Sequence, residues 1–94
     1  MKTKAESDYL GRVASLGCML CDEFGQPGIP AQVHHVRSGQ GMSQRAQHWL
    51  TVPLCRACHQ GPQGIHGDQT LLRIAKMSEM DLLAKTIERL NCCS

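Results

Sequence analysis

Residues 54 to 66 read Leu-Cys-Arg-Ala-Cys-His-Gln-Gly-Pro-Gln-Gly-Ile-His, and the organisation of the chain follows from this stretch. Two residues separate Cys55 from Cys58, His59 comes directly after, and His66 lies beyond a glycine-rich segment. Earlier in the chain are a second Cys-x-x-Cys pair and a histidine doublet, formed by Cys18, Cys21, His34 and His35. The stretch therefore supplies half of a four-thiolate metal site and part of a histidine-based one.

The length of the chain predicts one small domain that needs disulfides or a bound metal ion for stability. With 94 residues, and one Tyr, one Phe and one Trp, it has little material for a large apolar core. Small domains of this kind are usually stabilised by disulfides or a metal, and six cysteines are present. We expect a single domain spanning residues 1–94.

Cysteine usage and the absence of targeting signals predict a cytoplasmic protein with no membrane association. The first residues are polar, and no apolar run approaches the roughly 20 residues that a membrane helix needs. Thiols stay reduced inside cells, so paired Cys-x-x-Cys motifs indicate metal binding. A secreted disulfide framework is the alternative. The net charge of +2 is compatible with nucleic acid but does not by itself predict it.

The two cysteine pairs predict a structural zinc site. Each Cys-x-x-Cys lets two sulfurs face one ion, and two such pairs complete a tetrahedral shell. A closed shell leaves no open position for chemistry, so this zinc should only stabilise the fold. A redox dithiol is the alternative, but it would need one pair rather than two.

The pattern of apolar residues predicts an α+β fold. A helix capped by Ser7 should end at Gly17, and residues 31–36 and 49–54 are β-prone on either side of a polar loop. Two further helices should follow, capped by Asp68 and Ser78, with Asp81 completing a capping box in the second. That second helix should bury Leu82, Leu83, Ile87 and Leu90.

The histidines predict a second metal site of a different kind. Three neutral imidazoles around a divalent ion leave coordination positions open for phosphate oxygen and water. A fourth imidazole beside them is suited to accept a proton from that water, because its ordinary pKa is about 6.5. Any one of these histidines alone would more often be a surface or hydrogen-bonded core residue.

Two segments resemble the HNH endonucleases of the ββα-metal superfamily. These are Val-His-His-Val at 33–36 and Pro-Leu-Cys-Arg-Ala-Cys-His at 53–59. Relatives with two flanking Cys-x-x-Cys pairs use them to bind a structural zinc. Gly-Gln-Gly-Met at 39–42, Leu-Thr-Val-Pro-Leu-Cys at 50–55 and Gly-Ile-His-Gly at 64–67 are similar to phage-borne members of the recombination-enhancement (Ref) type, nucleases directed by a recombinase filament. The resemblance implies a small zinc-stabilised ββα-metal domain, phage- or prophage-encoded, with an N-terminal helix and C-terminal helices.

The resemblance also implies roles for four histidines. His35 would be the general base that activates water, and His34 and His59 would bind the catalytic ion. His66 stands where a third ligand is expected, although its spacing from His59 differs from that of helix-borne pairs. The implied reaction is hydrolysis of phosphodiester bonds in DNA, with the ion stabilising charge on the phosphate. Magnesium, manganese, nickel and zinc all suit such a site.

The chain departs from the family in lacking its central asparagine, since Leu50-Thr51 stands where Asn-Leu is common. His35 must then be oriented by a backbone carbonyl, or by Gln47, His48 or Thr51.

The sequence also offers candidate DNA contacts and leaves two rival functions open. Arg37, Arg45 and Arg56 flank these elements and are candidate phosphate ligands, with ordinary solvated surface as the alternative. A non-catalytic, zinc-stabilised nucleic-acid-binding module would explain the cysteines but not the histidines. A zinc adaptor that contacts only protein would draw support from the terminal helices.

Overall fold

The protein has an α+β fold, as predicted, with a two-stranded sheet and five helices in the residues that the computed structural model describes, 3–36 and 48–92. The elements in chain order are α1 (Lys4–Ser15), α2 (Met19–Glu23), β1 (Gln32–His35), β2 (Thr51–Leu54), α3 (Arg56–Gln60), α4 (Thr70–Ala75) and α5 (Glu79–Asn91). In those two ranges, none of the helices has the length and apolar character required to cross a bilayer.

Helix α1 begins earlier than predicted. Thr3, not Ser7, is the N-cap: its hydroxyl accepts from the Glu6 amide, and the Glu6 carboxylate accepts from the Thr3 amide. This reciprocal capping box satisfies two backbone donors, whereas Ser7 alone could satisfy one. The predicted stop at Gly17 is confirmed, because Gly17 has φ +82°, and a side chain there would press on the backbone of Gly28 and Ile29.

The two strands form an antiparallel hairpin in which His34 pairs with Val52 and His35 with Thr51. All four residues of β2 are buried, and α1, α2 and α5 pack against this strand. β1 is more exposed and is therefore the strand that can offer side chains to a functional site. The chain passes from β2 directly into α3, so a strand, a strand and a helix surround the histidines.

Helix α5 begins at the predicted capping box, with Ser78 and Asp81 bonded reciprocally. Its buried face differs from the prediction by one position. Leu82 and Leu83 are buried as expected and Leu90 is half-buried, but Ile87 is 41 % exposed and Thr86 is fully buried instead. Thr86 can be buried because its hydroxyl donates to the Leu82 carbonyl.

Helix α4 starts at Thr70, two residues after the predicted cap. Gln69 occupies the N-cap position with φ 62°. Asp68, the residue before it, still stabilises the start of the helix, because its carboxylate accepts hydrogen bonds from the Thr70 amide and hydroxyl.

Ion pairs attach α5 to α2. The Lys85 ammonium contacts the Asp22 carboxylate at 2.8 Å and the Glu23 carboxylate at 3.0 Å, and it also donates to the Met19 carbonyl. Arg89 contacts Asp22 at 2.9 Å. These contacts hold the C-terminal helix against the segment that contains the first cysteine pair.

Candidate metal centres and active site

The four paired cysteines converge on one point. Cys18 and Cys55 each occupy the N-cap position of a short helix, and their partners Cys21 and Cys58 lie in the first turn of the same helices. The Cys21 sulfur lies 3.6 Å from that of Cys55 and 3.7 Å from that of Cys58. A tetrahedral ion with Zn–S bonds of about 2.3 Å separates its sulfurs by about 3.8 Å, so the cluster has the dimensions of a zinc site.

The chemistry of the thiols also fits a metal ion better than four free groups. No disulfide joins the cysteines of the described residues. Burial raises the pKa of Cys21 to about 12 and raises that of Cys58 as well. Burial acts against ionisation of Cys55 too, but hydrogen bonds, chiefly from the Cys58 amide, lower its pKa overall. Four thiolates cannot coexist here without a cation, and a structural metal such as zinc would supply that charge.

Three histidines form a second cluster beside the first. One ligand atom from each of His34, His59 and His66 can be chosen so that all lie within 4.8 Å of one another. The Nε2 atoms of His59 and His66 are 3.1 Å apart, close to the roughly 3.0–3.4 Å between two imidazole nitrogens bound to one ion. His34 and His59 are buried, while His66 is exposed, so the cluster opens to solvent on one side.

The position of His59 follows from α3 and from Gln32. His59 directly follows Cys58 in the helix, and its Nδ1 lies 2.9 Å from the Gln32 side-chain oxygen on β1. Because that amide oxygen can only accept, Nδ1 carries the hydrogen and Nε2 keeps the lone pair that faces the cluster. Burial lowers the pKa of His59, and the neighbouring His34 and His66 lower it further, which favours the neutral form that binds metal.

A turn folded back on α3 positions His66. The Ile65 amide donates to the Cys58 carbonyl at 2.8 Å, and the His66 amide donates to the His59 carbonyl at 3.1 Å. A side chain at Gly64 would collide with the Cys58 carbonyl oxygen. Glycine at this position therefore lets the turn approach closely enough for His66 to reach His59.

His35 lies apart from the three-histidine cluster and contacts His48. Successive strand residues project to opposite faces, so His34 and His35 diverge. The His35 Nε2 is 3.0 Å from the Nδ1 of His48. His48 was one of the residues predicted to orient His35. The Thr51 hydroxyl donates to the His48 carbonyl, so Thr51 acts on the segment that holds His48.

Of the three arginines predicted to contact phosphate, only Arg56 lies within the described residues. Arg37 and Arg45 lie outside the described residues. Arg56 is exposed on α3, where it lines a pocket of about 460 Å³ with Ala57, Gln60 and Gly61 rather than the histidine cluster.

A second groove, of about 470 Å³, includes His34 and His66. Its lining residues are His34, Ile65, His66, Gln69, Leu72, Arg73, Met77, Ser78 and Glu79.

Two residues that contact the histidine cluster, Gln32 and Glu79, were not predicted from the sequence. Gln32 precedes His34 by two positions, so strand alternation alone would have placed it on the same face. Glu79, whose carboxylate lies 2.6 Å from the His34 Nε2, is distant in sequence, and no local pattern pointed to it.

Residues 2–81 match a family model described as recombination enhancement, RecA-dependent nuclease. The chain belongs to the RecA-dependent nucleases. The match takes in both cysteine pairs and all five histidines, and it extends into the first residues of α5. No match was found among curated proteins.

Membership of the RecA-dependent nucleases confirms the predicted recombination-enhancement type and the predicted nuclease activity. A nuclease that acts in RecA-dependent recombination has DNA as its substrate and is linked to RecA.

Proposed function

We propose that this RecA-dependent nuclease is a metal-dependent HNH endonuclease, built as one domain over residues 1–94, that hydrolyses phosphodiester bonds in DNA. The observation that carries the proposal is the convergence of His34, His59 and His66 next to a four-cysteine cluster. The order β1, β2, α3 supports the HNH assignment, because it is the strand–strand–helix order of the ββα-metal nucleases.

The three imidazoles are suited to a catalytic ion rather than a structural one. They supply three ligands where a closed site would need four, and His66 is exposed. When bound, a divalent ion (Mg²⁺, Mn²⁺, Ni²⁺ or Zn²⁺) supplies positive charge that stabilises the phosphate as negative charge develops on it. Gln32 keeps the His59 lone pair directed into the cluster.

His35 is the proposed general base. It removes a proton from water as the water oxygen bonds to phosphorus, and the bond from phosphorus to the leaving oxygen breaks. The leaving oxygen then takes a proton from solvent. His35 is the last residue of β1 and its Cα lies about 3.8 Å from that of His34, so a phosphate at the strand end can meet both residues. In this mechanism the His35 Nε2 donates its hydrogen to His48. The His35 Nδ1 is then the atom that accepts the proton from water.

The groove beside His34 and His66 is the proposed path of the DNA strand. Its apolar wall of Ile65, Leu72 and Met77 suits the sugar and base, and Arg73 offers a cation for a flanking phosphate. Arg56 would contact DNA from the adjacent pocket, and Arg37 and Arg45 are proposed as further phosphate contacts. A RecA filament would deliver the DNA to this groove.

Substitution of the general base tests this proposal. The His35→Ala variant should lose roughly 10²–10⁴-fold in divalent-dependent nicking, because proton transfer from the attacking water is lost. Its far-UV circular dichroism and zinc content should match those of the wild type, since His35 is a member of neither cluster. Added imidazole should restore part of the rate.

A matched control is Gln63→Ala, an exposed change outside the histidine cluster that should cleave at the wild-type rate. Undiminished cleavage by His35→Ala would remove His35 from the mechanism.

A further inference from the structure

A carboxylate from the C-terminal helix reaches the histidine cluster. The Glu79 Oε2 lies 2.6 Å from the Nε2 of His34. Both side chains are largely buried: that of Glu79 is 18 % exposed and that of His34 is 5 % exposed. We propose that Glu79 is a positioning residue of the catalytic metal centre, which holds the His34 ring in its metal-binding tautomer. This inference rests on the proposed role of His34 as a ligand.

The backbone of Glu79 is fixed where this contact requires it. Glu79 is the first residue of α5, between the two members of the Ser78–Asp81 capping box. Leu82 and Leu83, in the next turn, are buried in the core. The start of α5 therefore cannot shift away from β1 without breaking a cap and opening the core.

The chemistry of the contact assigns the hydrogen. An ionised carboxylate only accepts hydrogen bonds, so the His34 Nε2 carries the hydrogen and donates it to Glu79. The lone pair of His34 is then at Nδ1, available to an ion. Histidine ligands usually donate their second ring N–H to an oxygen in this way, which fixes the ring and raises its basicity.

The same arrangement occurs at His59, but with a neutral partner. His59 donates through Nδ1 to the amide oxygen of Gln32, and His34 donates through Nε2 to a carboxylate. Each ring is thus oriented by one side-chain oxygen. Of the two partners, Gln32 is neutral, and Glu79 adds a negative charge beside the ion. Glu79 is not one of the three residues whose ligand atoms cluster, which favours an orienting role over direct ligation.

Manganese binding to the zinc-containing protein tests the inference. Mn²⁺ prefers nitrogen and oxygen donors, so it should enter the histidine cluster and leave the thiolates to zinc. By calorimetric titration, Glu79→Ala should bind Mn²⁺ roughly 10–100-fold more weakly than the wild type. Glu79→Gln should bind with intermediate affinity, because its amide oxygen still accepts the hydrogen bond. The control is Glu88→Ala, an exposed change on the same helix, which should bind as the wild type does.

A second measurement separates orientation from general stability. In the metal-free histidine site, long-range ¹H–¹⁵N spectra should show the Nε2–H tautomer of His34 in the wild type and in Glu79→Gln, and a mixture of tautomers in Glu79→Ala. Unchanged Mn²⁺ affinity and an unchanged tautomer in Glu79→Ala would overturn the inference. A Co²⁺ absorption spectrum of Glu79→Gln that shows a lower coordination number than the wild type would also overturn it, because Glu79 would then be a ligand itself.

Both readouts are independent of DNA cleavage. If His35→Ala cuts normally while Glu79→Ala still loses Mn²⁺ affinity, the proposed mechanism fails and the role of Glu79 stands. If His35→Ala is inactive and Glu79→Ala binds Mn²⁺ normally, the proposed mechanism stands and the role of Glu79 fails.

Discussion

Single side chains decide the chemistry of this site. The side-chain oxygens of Gln32 and Glu79 each contact one ring nitrogen, at His59 and His34 respectively, and the His48 ring contacts His35. In the mechanism that we propose, the ring of each pair acts on substrate or metal, and its partner fixes the tautomer. The residue that contacts the His35 Nε2 is the imidazole of His48.

Replacing His48 should slow catalysis without weakening DNA binding. His48→Ala removes the group that orients His35, so kcat should fall, though by less than the roughly 10²–10⁴-fold expected when the base itself is removed. KM should stay unchanged. His48→Asn should retain more activity, because its amide oxygen can accept from the His35 Nε2. Steady-state cleavage rates measure the difference, and a rise in KM with constant kcat would contradict this role.

The members of the two clusters were predictable at this scale, and the residues that contact them were not. Cys-x-x-Cys spacing and the histidine doublet are local patterns, so the sequence reveals Cys55, Cys58 and His34 directly. The Glu79–His34 contact joins residues far apart in the chain, and only the path of α5 brings them together. Gln32 is the exception, because strand alternation links it to His34. The roles of His35 and of the three histidine ligands stay predictions.

At the scale of elements, α5 does more than cover the core. It packs on β2, its first residue reaches the histidine cluster, and Lys85 near its middle binds the segment of the first cysteine pair. Its helical period and capping box were predictable from sequence, since Ser78 and Asp81 obey a local rule. The burial of Thr86 in place of Ile87 was not, because it depends on the direction from which β2 meets the helix.

Loss of the Lys85 contacts should destabilise the fold. Lys85 is 12 % exposed and bonds to Asp22, Glu23 and the Met19 carbonyl. Lys85→Met therefore leaves the Asp22 carboxylate, which is only 15 % exposed, with Arg89 as its ion-pair partner. The free energy of unfolding should fall by about 1.5–3 kcal/mol, measured by urea denaturation. Lys4→Met removes an exposed ion pair with Asp8 and should cost at most about 1 kcal/mol. Equal losses in the two variants would refute the structural role of Lys85.

At the scale of the molecule, the four-cysteine cluster joins two segments that are distant in the sequence. Cys18 and Cys21 follow α1, whereas Cys55 and Cys58 follow the hairpin, and the core residues surround all four. Structural zinc can contribute on the order of 10 kcal/mol in small peptides, comparable with the whole stability of a domain. The α+β class was predictable from the pattern of apolar residues, whereas the N-cap of α1 at Thr3 was not predicted, because Ser7 alone was identified as a cap.

Acid should release zinc and unfold the protein together. Burial raises the pKa of Cys21 to about 12 in the metal-free cluster, so protons compete with zinc for this thiol at every physiological pH. Zinc affinity should therefore fall as pH falls, and the unfolding temperature should fall with it. Circular dichroism and a chromophoric chelator measure the two events. Cys92→Ala, an exposed change, should leave both curves unaltered, and persistence of the folded signal after complete zinc loss would contradict the coupling.

Cys58 and His59 are consecutive residues of one short helix, yet they serve different clusters. Each added residue turns an α-helix by about 100°, so a single insertion between them would point the imidazole away from its partners while both cysteine pairs stayed intact. In the mechanism that we propose, the position of His59 therefore depends on the ion that orders the cysteines, and a chain without that ion should not cut DNA.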